Sequence, residues 1–221
     1  MHIMIKFAIF DLDGTLLDSS KMWETFGERY LTLLGKTPEK GLAEKMDDMT
    51  LVTSAQYLRE RYDLSYSAEE IVRHFNRMIE SYYTEEVHLK EGVPKLLAAL
   101  RANCVHMSVA TASDERLGLN ALARLGAGDF FAGAVSCSDY GAKTSPDVFL
   151  AAADLIYAIP EETIVFENSL TAVRTAKKAG FVTAAVEDIS ERDQEALKQA
   201  ADFYAESMDK FADNIKEILK R

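Results

Sequence analysis

The sequence is poor in cysteine and proline and has no long apolar run. Its two cysteines, Cys104 and Cys137, form no CxxC pair, which excludes a disulfide scaffold and predicts free thiols in a reducing cytoplasm. Four prolines and 11 glycines in 221 residues exclude collagen and Pro/Gly-rich disorder. No stretch approaches the roughly 18 apolar residues of a membrane span, and the opening MHIMIKFAIFDLDGT has no signal-peptide cleavage pattern. We therefore expect a cytoplasmic protein without a membrane partner.

Positive charge is also scarce. The chain has 25 Lys and Arg against 36 Asp and Glu, a formal net charge of −11. An acidic surface repels the phosphate backbone, so we expect no nucleic-acid partner. A small phosphate substrate stays compatible with this composition, because local charge at a site outweighs distant, screened charge.

Short apolar segments alternate with helical periodicity over most of the chain. This alternation predicts right-handed βαβ units and a parallel sheet covered on both faces. A closing amphipathic helix is predicted from Met208 to Leu219. The predicted strands are Ile3–Phe10, Val105–Ala110, Ala134–Cys137, Thr163–Phe166 and Val182–Val186.

About seventy residues after the first strand are instead helical throughout, which is too long for a loop. Thr37–Glu39 places proline at a predicted helix start, and Ser67–Glu70 is a capping-box sequence. We therefore predict a core domain of residues 1–17 and 89–221, interrupted by a helical domain of residues 18–88.

Polar clusters follow four of the predicted core segments: Asp11–Asp18, Thr111–Asp114, Lys143 and Glu167–Ser169. Ligands of open α/β sheets bind at the carboxyl ends of the strands. Because these ends meet at one edge of a parallel sheet, we expect the clusters to converge there.

Two carboxylates, Asp11 and Asp13, come directly after the first buried strand. Charged groups beside a core are costly unless they are paired or bind a metal, and oxygen ligands suit Mg²⁺. An Asp- and Gly-rich turn is the structural alternative. Two interpretations of Lys143 stay open: it binds a phosphate or a carboxylate, or it is a solvated loop residue. For Thr111 the two are donation to an oxyanion and the capping of a helix. Glu167 and Asn168, in the fourth cluster, suit a helix N-terminus or a metal site.

Four segments carry a resemblance to a known family. FDLDGTLLDS (Phe10–Ser19), VATAS (Val109–Ser113), GAKTSPDVF (Gly141–Phe149) and VFENSLTAVRTAKKAGF (Val165–Phe181) resemble, in order and spacing, the four motifs of haloacid dehalogenase-superfamily hydrolases. The likeness is to the phosphatase and β-phosphoglucomutase-like branch. It implies an α/β fold, with a Rossmann-like parallel-sheet core and an inserted α-helical cap domain.

The resemblance also implies roles for particular residues. Asp11 would be the nucleophile that forms an aspartyl-phosphate, and Asp13 the general acid and then the base. The substrate-binding residues would be Thr111, Ala112 and Lys143, and Mg²⁺ would be held by Asp11, Asp13, Glu167 and Asn168.

The expected function is a Mg²⁺-dependent phosphomonoesterase for a small phosphorylated metabolite, acting as a monomer or weak dimer. Asp13 argues against dehalogenation, because a leaving halide needs no proton. A sugar-phosphate mutase is the alternative, but Asp47 and Asp48 stand where mutase-like relatives use an arginine, and a catalytically silent binding protein is a third possibility. Asn168 departs from the aspartate of many relatives, which predicts weaker metal affinity.

The predicted helical domain is rich in aromatic residues. The functional interpretation is a stacking surface for a flat leaving group, and the structural one is the core of a small helical bundle. The residues in question are Trp23, Tyr30, Tyr57, Tyr62, Tyr66, Tyr82 and Tyr83.

Overall fold

A computed structural model of the chain describes residues 4–46 and 49–220. The described residues form two compact units, one made of residues up to Ser19 together with those from Val87 onward, the other of Ser20–Glu86. The predictions made for Ile3, Asp47 and Asp48 lie outside the described residues.

The first unit contains a sheet of six described strands, all parallel. Their order across the sheet is β3-β2-β1-β4-β5-β6, which confirms the predicted α/β fold with a Rossmann-like parallel sheet. The strands are β1 (Phe7–Phe10), β2 (His106–Thr111), β3 (Phe131–Ser136), β4 (Thr163–Glu167), β5 (Val182–Val186) and β6 (Phe203–Ala205).

The second unit is helical, and no strand occurs among its described residues. Buried Tyr30 packs edge-on against Phe75, with 4.9 Å between ring centroids, and Tyr83 is buried as well. These two tyrosines therefore belong to the core of the helical unit, whereas Tyr66 is exposed. The helices are α1 (Ser20–Glu24), α2 (Phe26–Leu33), α3 (Leu42–Met46), α4 (Leu51–Tyr62) and α5 (Ala68–Ser81), which a π-helical turn (Tyr82–Glu86) continues.

Helices separate the strands of the first unit. They are α6 (Val93–Ala102), α7 (Glu115–Arg124), α8 (Cys137–Tyr140), α9 (Asp147–Asp154), α10 (Leu170–Lys178), α11 (Gln194–Ala200), α12 (Met208–Asp213) and α13 (Ile215–Ile218), with short 3₁₀ turns at Gly128–Phe130 and Pro160–Glu162. Over the described parts of the chain, no helix combines the length and the apolar character that a bilayer crossing requires.

The central strands are apolar because both of their faces are covered. Ile9, Phe10, Val165 and Phe166 are fully buried, and the rings of Phe10 and Phe166 stack with centroids 4.4 Å apart. This packing fixes β1 against β4. The chain segments that leave the two strands are thereby held side by side at the carboxyl edge of the sheet.

Two local predictions were wrong, and one strand was missed. Residues 36–39 form no helix, and α3 begins only at Leu42, because the Glu39 carboxylate accepts hydrogen bonds from Tyr57 and Arg61 instead of serving a helix start. The closing helix breaks at Asn214, whose backbone leaves the helical conformation (φ −105°, ψ 15°). Strand β6 was not predicted, because three residues at a sheet edge are too short to show a period.

Candidate active site

The turn after β1 brings two carboxylates to the edge of the sheet. The backbone N–H of Asp11 donates to the carbonyl of Phe166 at 2.9 Å and so extends the pairing of β1 with β4. Gly14, at φ +81°, adopts the left-handed conformation that glycine tolerates best, and its N–H donates to the carbonyl of Leu17 at 2.9 Å. The turn is thus closed by its own backbone.

The two oxygens of the Asp11 carboxylate have different surroundings. The side chain is buried, and the ammonium of Lys143 donates to Oδ1. Oδ2 is buried without a hydrogen-bond partner among the described residues. Because an unpartnered buried carboxylate oxygen is costly, this atom calls for a cation or a donor from outside the chain.

Lys143 lies between two carboxylates. Its ammonium donates to Oδ1 of Asp11 and to Oε1 of Glu167, the latter at 2.6 Å. The other oxygen of Glu167 accepts from the backbone N–H groups of Asn168 and Ser169, both at 3.0 Å. Both oxygens of Glu167 are therefore engaged within the chain, which favours a role in holding Lys143 over direct metal ligation.

Burial and the charge of the partner shift the pKa values of Asp11 and Lys143 in opposite directions. Burial raises the pKa of Asp11 to about 7, against the lowering effect of the Lys143 ammonium, and the Glu167 carboxylate adds to the rise. Burial alone would lower the pKa of Lys143, but Asp11 and Glu167 outweigh it and raise that pKa. Lys143 therefore remains a cation, and the charged form of Asp11 depends on positive charge beside it.

Asp13 is held by two hydroxyl groups. Ser19 donates to Oδ1 and Ser113 donates to Oδ2, each at 2.6 Å. Sequence reasoning missed both contacts. The neighbouring Asp114 has a different role, because it caps α7 by accepting from the N–H of Leu117. No spacing signal links Ser113 to Asp13, one hundred residues earlier.

Thr111 and Ala112 lie where β2 ends. The Thr111 side chain is fully buried, and its hydroxyl oxygen accepts from the backbone N–H of Ser113 at 3.0 Å. The hydroxyl proton is thereby left for another acceptor, while Ala112 is exposed beside it. The end of β2 can thus present donors to an oxyanion.

Asn168 takes part in two side-chain hydrogen bonds. Its amide oxygen accepts from the hydroxyl of Thr15 at 3.1 Å, and its amide nitrogen donates to the hydroxyl of Ser190 at 3.0 Å. Among the residues that the structure describes, no three His, Cys, Asp or Glu side chains form a metal-binding group. A cation here would therefore depend on Asp11 together with a backbone carbonyl and this amide oxygen, and the buried Oδ2 of Asp11 fits such a cation.

Cys137 is a neighbour of the site that the sequence did not reveal. Burial raises the pKa of its thiol, an effect that the Lys143 ammonium opposes and the Asp11 carboxylate supports. Lys143 and Asp11 approach this thiol only in the folded chain, so their effect on it could not be predicted from sequence. With its pKa raised, the thiol is a weak nucleophile.

Comparison with known proteins finds similar chains among phosphatases and solved structures. A Thermotoga maritima phosphorylated carbohydrates phosphatase is 24% identical over 213 residues, which cover 96% of this chain and 99% of that protein. Escherichia coli hexitol phosphatase A is 26% identical, over 82% of each chain. A solved structure from Thermotoga maritima, described as a candidate beta-phosphoglucomutase, superposes with a TM-score of 0.85 at 24% identity, over 97% of this chain and 100% of that one.

The family model for haloacid dehalogenase-like hydrolases matches residues 8–186. That range contains all four of the motifs on which the resemblance was based, and it holds most of the chain. The resemblance is therefore confirmed: this chain belongs to the haloacid dehalogenase-like hydrolases.

Proposed function

We propose that this hydrolase is a Mg²⁺-dependent phosphomonoesterase acting on a small phosphorylated metabolite. The observation that carries the proposal is the Asp11 carboxylate, with one oxygen on the Lys143 ammonium and the other buried without a partner. Relatives named as phosphatases of phosphorylated carbohydrates and hexitols support the same substrate class.

In the proposed reaction, a carboxylate oxygen of Asp11 attacks phosphorus and the ester oxygen leaves. The new O–P bond makes an aspartyl-phosphate, and the leaving alkoxide takes a proton from Asp13, which enters this step as the carboxylic acid. Asp13 then accepts a proton from water, which attacks the aspartyl-phosphate. Phosphate departs, and both carboxyl groups return to their starting forms.

Other side chains of the site would hold the phosphoryl group. The Lys143 ammonium offsets the charge of its oxygens, and the Thr111 hydroxyl and the backbone of Ala112 donate to them. Ser19 and Ser113 keep the Asp13 carboxyl oriented toward the leaving oxygen. A positioned general acid typically contributes about 10²–10⁴-fold to the rate.

The residues at this edge of the sheet would provide a ligand set for Mg²⁺, the metal that the resemblance to this family implies. Asp11 Oδ2, the Asp13 carbonyl and the Asn168 amide oxygen would hold it, with Glu167 contributing through Lys143 or a bridging water. Bound Mg²⁺ supplies positive charge that lets an anionic nucleophile approach an anionic phosphate.

Residues 18–88 would act as a cap domain that selects the substrate. This part of the proposal rests on the family resemblance and on the separate helical unit, Ser20–Glu86. The two free cysteines are consistent with a cytoplasmic enzyme. We propose a monomer or weak dimer, which light scattering of the purified protein would test.

The decisive experiment measures phosphate release from a panel of sugar phosphates, nucleoside monophosphates and an aryl phosphate, with and without Mg²⁺. Asp11→Asn is the blank, and Asp154→Asn, at an exposed position in α9, is the matched control. We expect release by the unmodified protein and by Asp154→Asn only. If the folded protein releases no phosphate from any substrate of the panel, the proposal is contradicted. A bisphosphate-primed mutase assay would then test the alternative.

A further inference from the structure

A second polar network lies beside the turn that carries the carboxylates. The ammonium of Lys90 donates to the carbonyls of Gly14 at 2.8 Å and Glu187 at 3.1 Å, and to Oδ2 of Asp188 at 2.6 Å. These three acceptors use all three protons of the ammonium. The Asp188 side chain is only 5% exposed, so this ion pair ties the turn after β1 to the segment after β5.

The network continues from Asp188 to Asn168. Oδ1 of Asp188 accepts from the N–H of Ser190 at 3.0 Å and from its hydroxyl at 2.7 Å. Since a carboxylate only accepts, the single hydroxyl proton of Ser190 points at Asp188. The Ser190 oxygen must then accept from Asn168, which fixes the amide nitrogen on that side at 3.0 Å.

The network therefore decides which end of the amide faces the turn after β1. With its nitrogen bound to Ser190, Asn168 turns its oxygen toward Thr15, which follows Gly14 in the same turn. The hydrogen bonds thus form a closed circuit that begins and ends in that turn. The neighbouring strands β1 and β4 place Asn168 at the edge of the sheet that carries Asp11.

We propose that Lys90, Asp188 and Ser190 are positioning residues that fix the Asn168 amide with its oxygen toward the Mg²⁺ of the proposed function, on which this inference rests. An aspartate at this position would present an oxygen in either orientation. An amide presents an oxygen in one orientation and a donor in the other. A flipped Asn168 would turn its N–H groups toward the cation, so the substitution of aspartate by asparagine requires an external constraint.

The test measures the dissociation constant of Mg²⁺ by calorimetry, without substrate, in the full-length protein and its variants. Ser190→Ala removes the acceptor at an exposed residue, so the fold should persist, which a thermal melt checks. We expect about 10-fold weaker Mg²⁺ binding, at the lower end of the effect of outer-sphere partners. Ser190→Thr keeps the hydroxyl and should bind Mg²⁺ as the unmodified protein does. Ser207→Ala, at a helix end whose side chain makes no capping bond, is the matched control and should also be neutral.

A double variant separates orientation from general loop damage. In an Asn168→Asp background, Ser190→Ala should leave the Mg²⁺ dissociation constant unchanged, because a carboxylate needs no orienting. An equal loss in both backgrounds, or no loss in either, would overturn the inference while leaving the proposed function intact. Absence of Mg²⁺ binding by the unmodified protein would instead overturn the magnesium part of the proposed function, and this inference with it.

Discussion

Asp11 and Asp13 are two residues apart, yet their carboxylates are held in opposite ways. One oxygen of Asp11 binds an ammonium and the other has no donor among the described residues, whereas both oxygens of Asp13 accept from serine hydroxyls. A carboxylate that is to bind a cation and form a bond to phosphorus needs an oxygen that no donor within the chain occupies. A proton donor needs a fixed orientation. The difference in contacts therefore matches the difference in proposed roles.

Asp13→Asn should separate these roles. We expect phosphate release from an alkyl phosphate to fall by about 10²–10⁴-fold, because the leaving alkoxide loses its proton donor. The loss should be much smaller with an aryl phosphate, whose leaving group needs little protonation. The measurement is kcat/KM for both esters, with Asp154→Asn as control. Equal losses on the two substrates would contradict the assignment of Asp13 as general acid.

At the scale of elements, α5 and the segment before α3 show how the helical unit is held. Ser67 accepts from the N–H of Glu70 at 3.2 Å, and the Glu70 side chain accepts from the N–H of Ser67 at 2.8 Å, so the predicted capping box is formed. The Glu39 carboxylate accepts hydrogen bonds from Tyr57 and Arg61 of α4, and it forms an ion pair with Lys45. The first device is local in sequence, and the second is not.

Ser67→Ala should lower the free energy of unfolding by about 1 kcal/mol, because the first turn of α5 loses a capping acceptor. Urea unfolding followed by circular dichroism measures this change. The exposed Ser65, two residues earlier, supplies the control substitution Ser65→Ala. If the two variants unfold alike, the capping box contributes nothing measurable.

The lowered pKa of Glu39 predicts that the stability of the protein depends on pH. Hydrogen bonds from Arg61, Lys45 and Tyr57 lower the pKa of Glu39 from its ordinary 4.5 to about 2. Because the folded pKa is the lower one, the stabilisation is complete above pH 4.5 and disappears as the pH falls toward 2. Urea unfolding of the unmodified protein and Glu39→Gln should therefore differ most at pH 7 and converge near pH 2. A difference that stays constant across this range would show that the charge of Glu39 is unimportant.

These elements also show what the sequence can predict. Val182–Val186 was predicted with its observed bounds because a buried parallel strand is a continuous apolar run. The helix start at Thr37–Glu39 was wrong because distant partners on α4 hold Glu39. Strand β6 and the break at Asn214 escaped prediction for a related reason, since short edge pairing and a local backbone turn leave no periodic signal.

At the scale of the whole molecule, the proposed metal should couple stability and activity. Chelation should abolish phosphate release, and added Mg²⁺ should restore it. Mg²⁺ at about 100 times its dissociation constant should add about 2.7 kcal/mol to the free energy of unfolding, since it binds only the folded chain. Thermal unfolding with and without Mg²⁺ measures this stabilisation. We expect Mg²⁺ to stabilise Asp11→Asn less than the unmodified protein. Activity that persists under strong chelation would contradict the metal assignment.

The four polar clusters could be located from sequence because they follow strands whose ends must meet, and the family resemblance selected the site residues within them. Their hydrogen-bond partners could not be located in this way. Ser113 is one hundred residues from Asp13, and Asp188 is 98 residues from Lys90. Such contacts depend on rotamers and loop geometry, which neither periodicity nor motif spacing records. Sequence thus identified the groups proposed to react, and the structure added the groups that orient them.

The chain leaves and re-enters the core at adjacent points. Leu17 and Leu89 form an antiparallel bridge, Asp18 N–H donates to the carbonyl of His88, and Lys90 N–H donates to the carbonyl of Leu16, both at 2.9 Å. Bringing together the two ends of an inserted segment costs loop-closure entropy that grows only slowly with its length, by about 0.6 kcal/mol for each doubling. The interruption can therefore grow, shrink or be exchanged for another at low cost. The core can keep one chemistry while its inserted segment changes over evolutionary time.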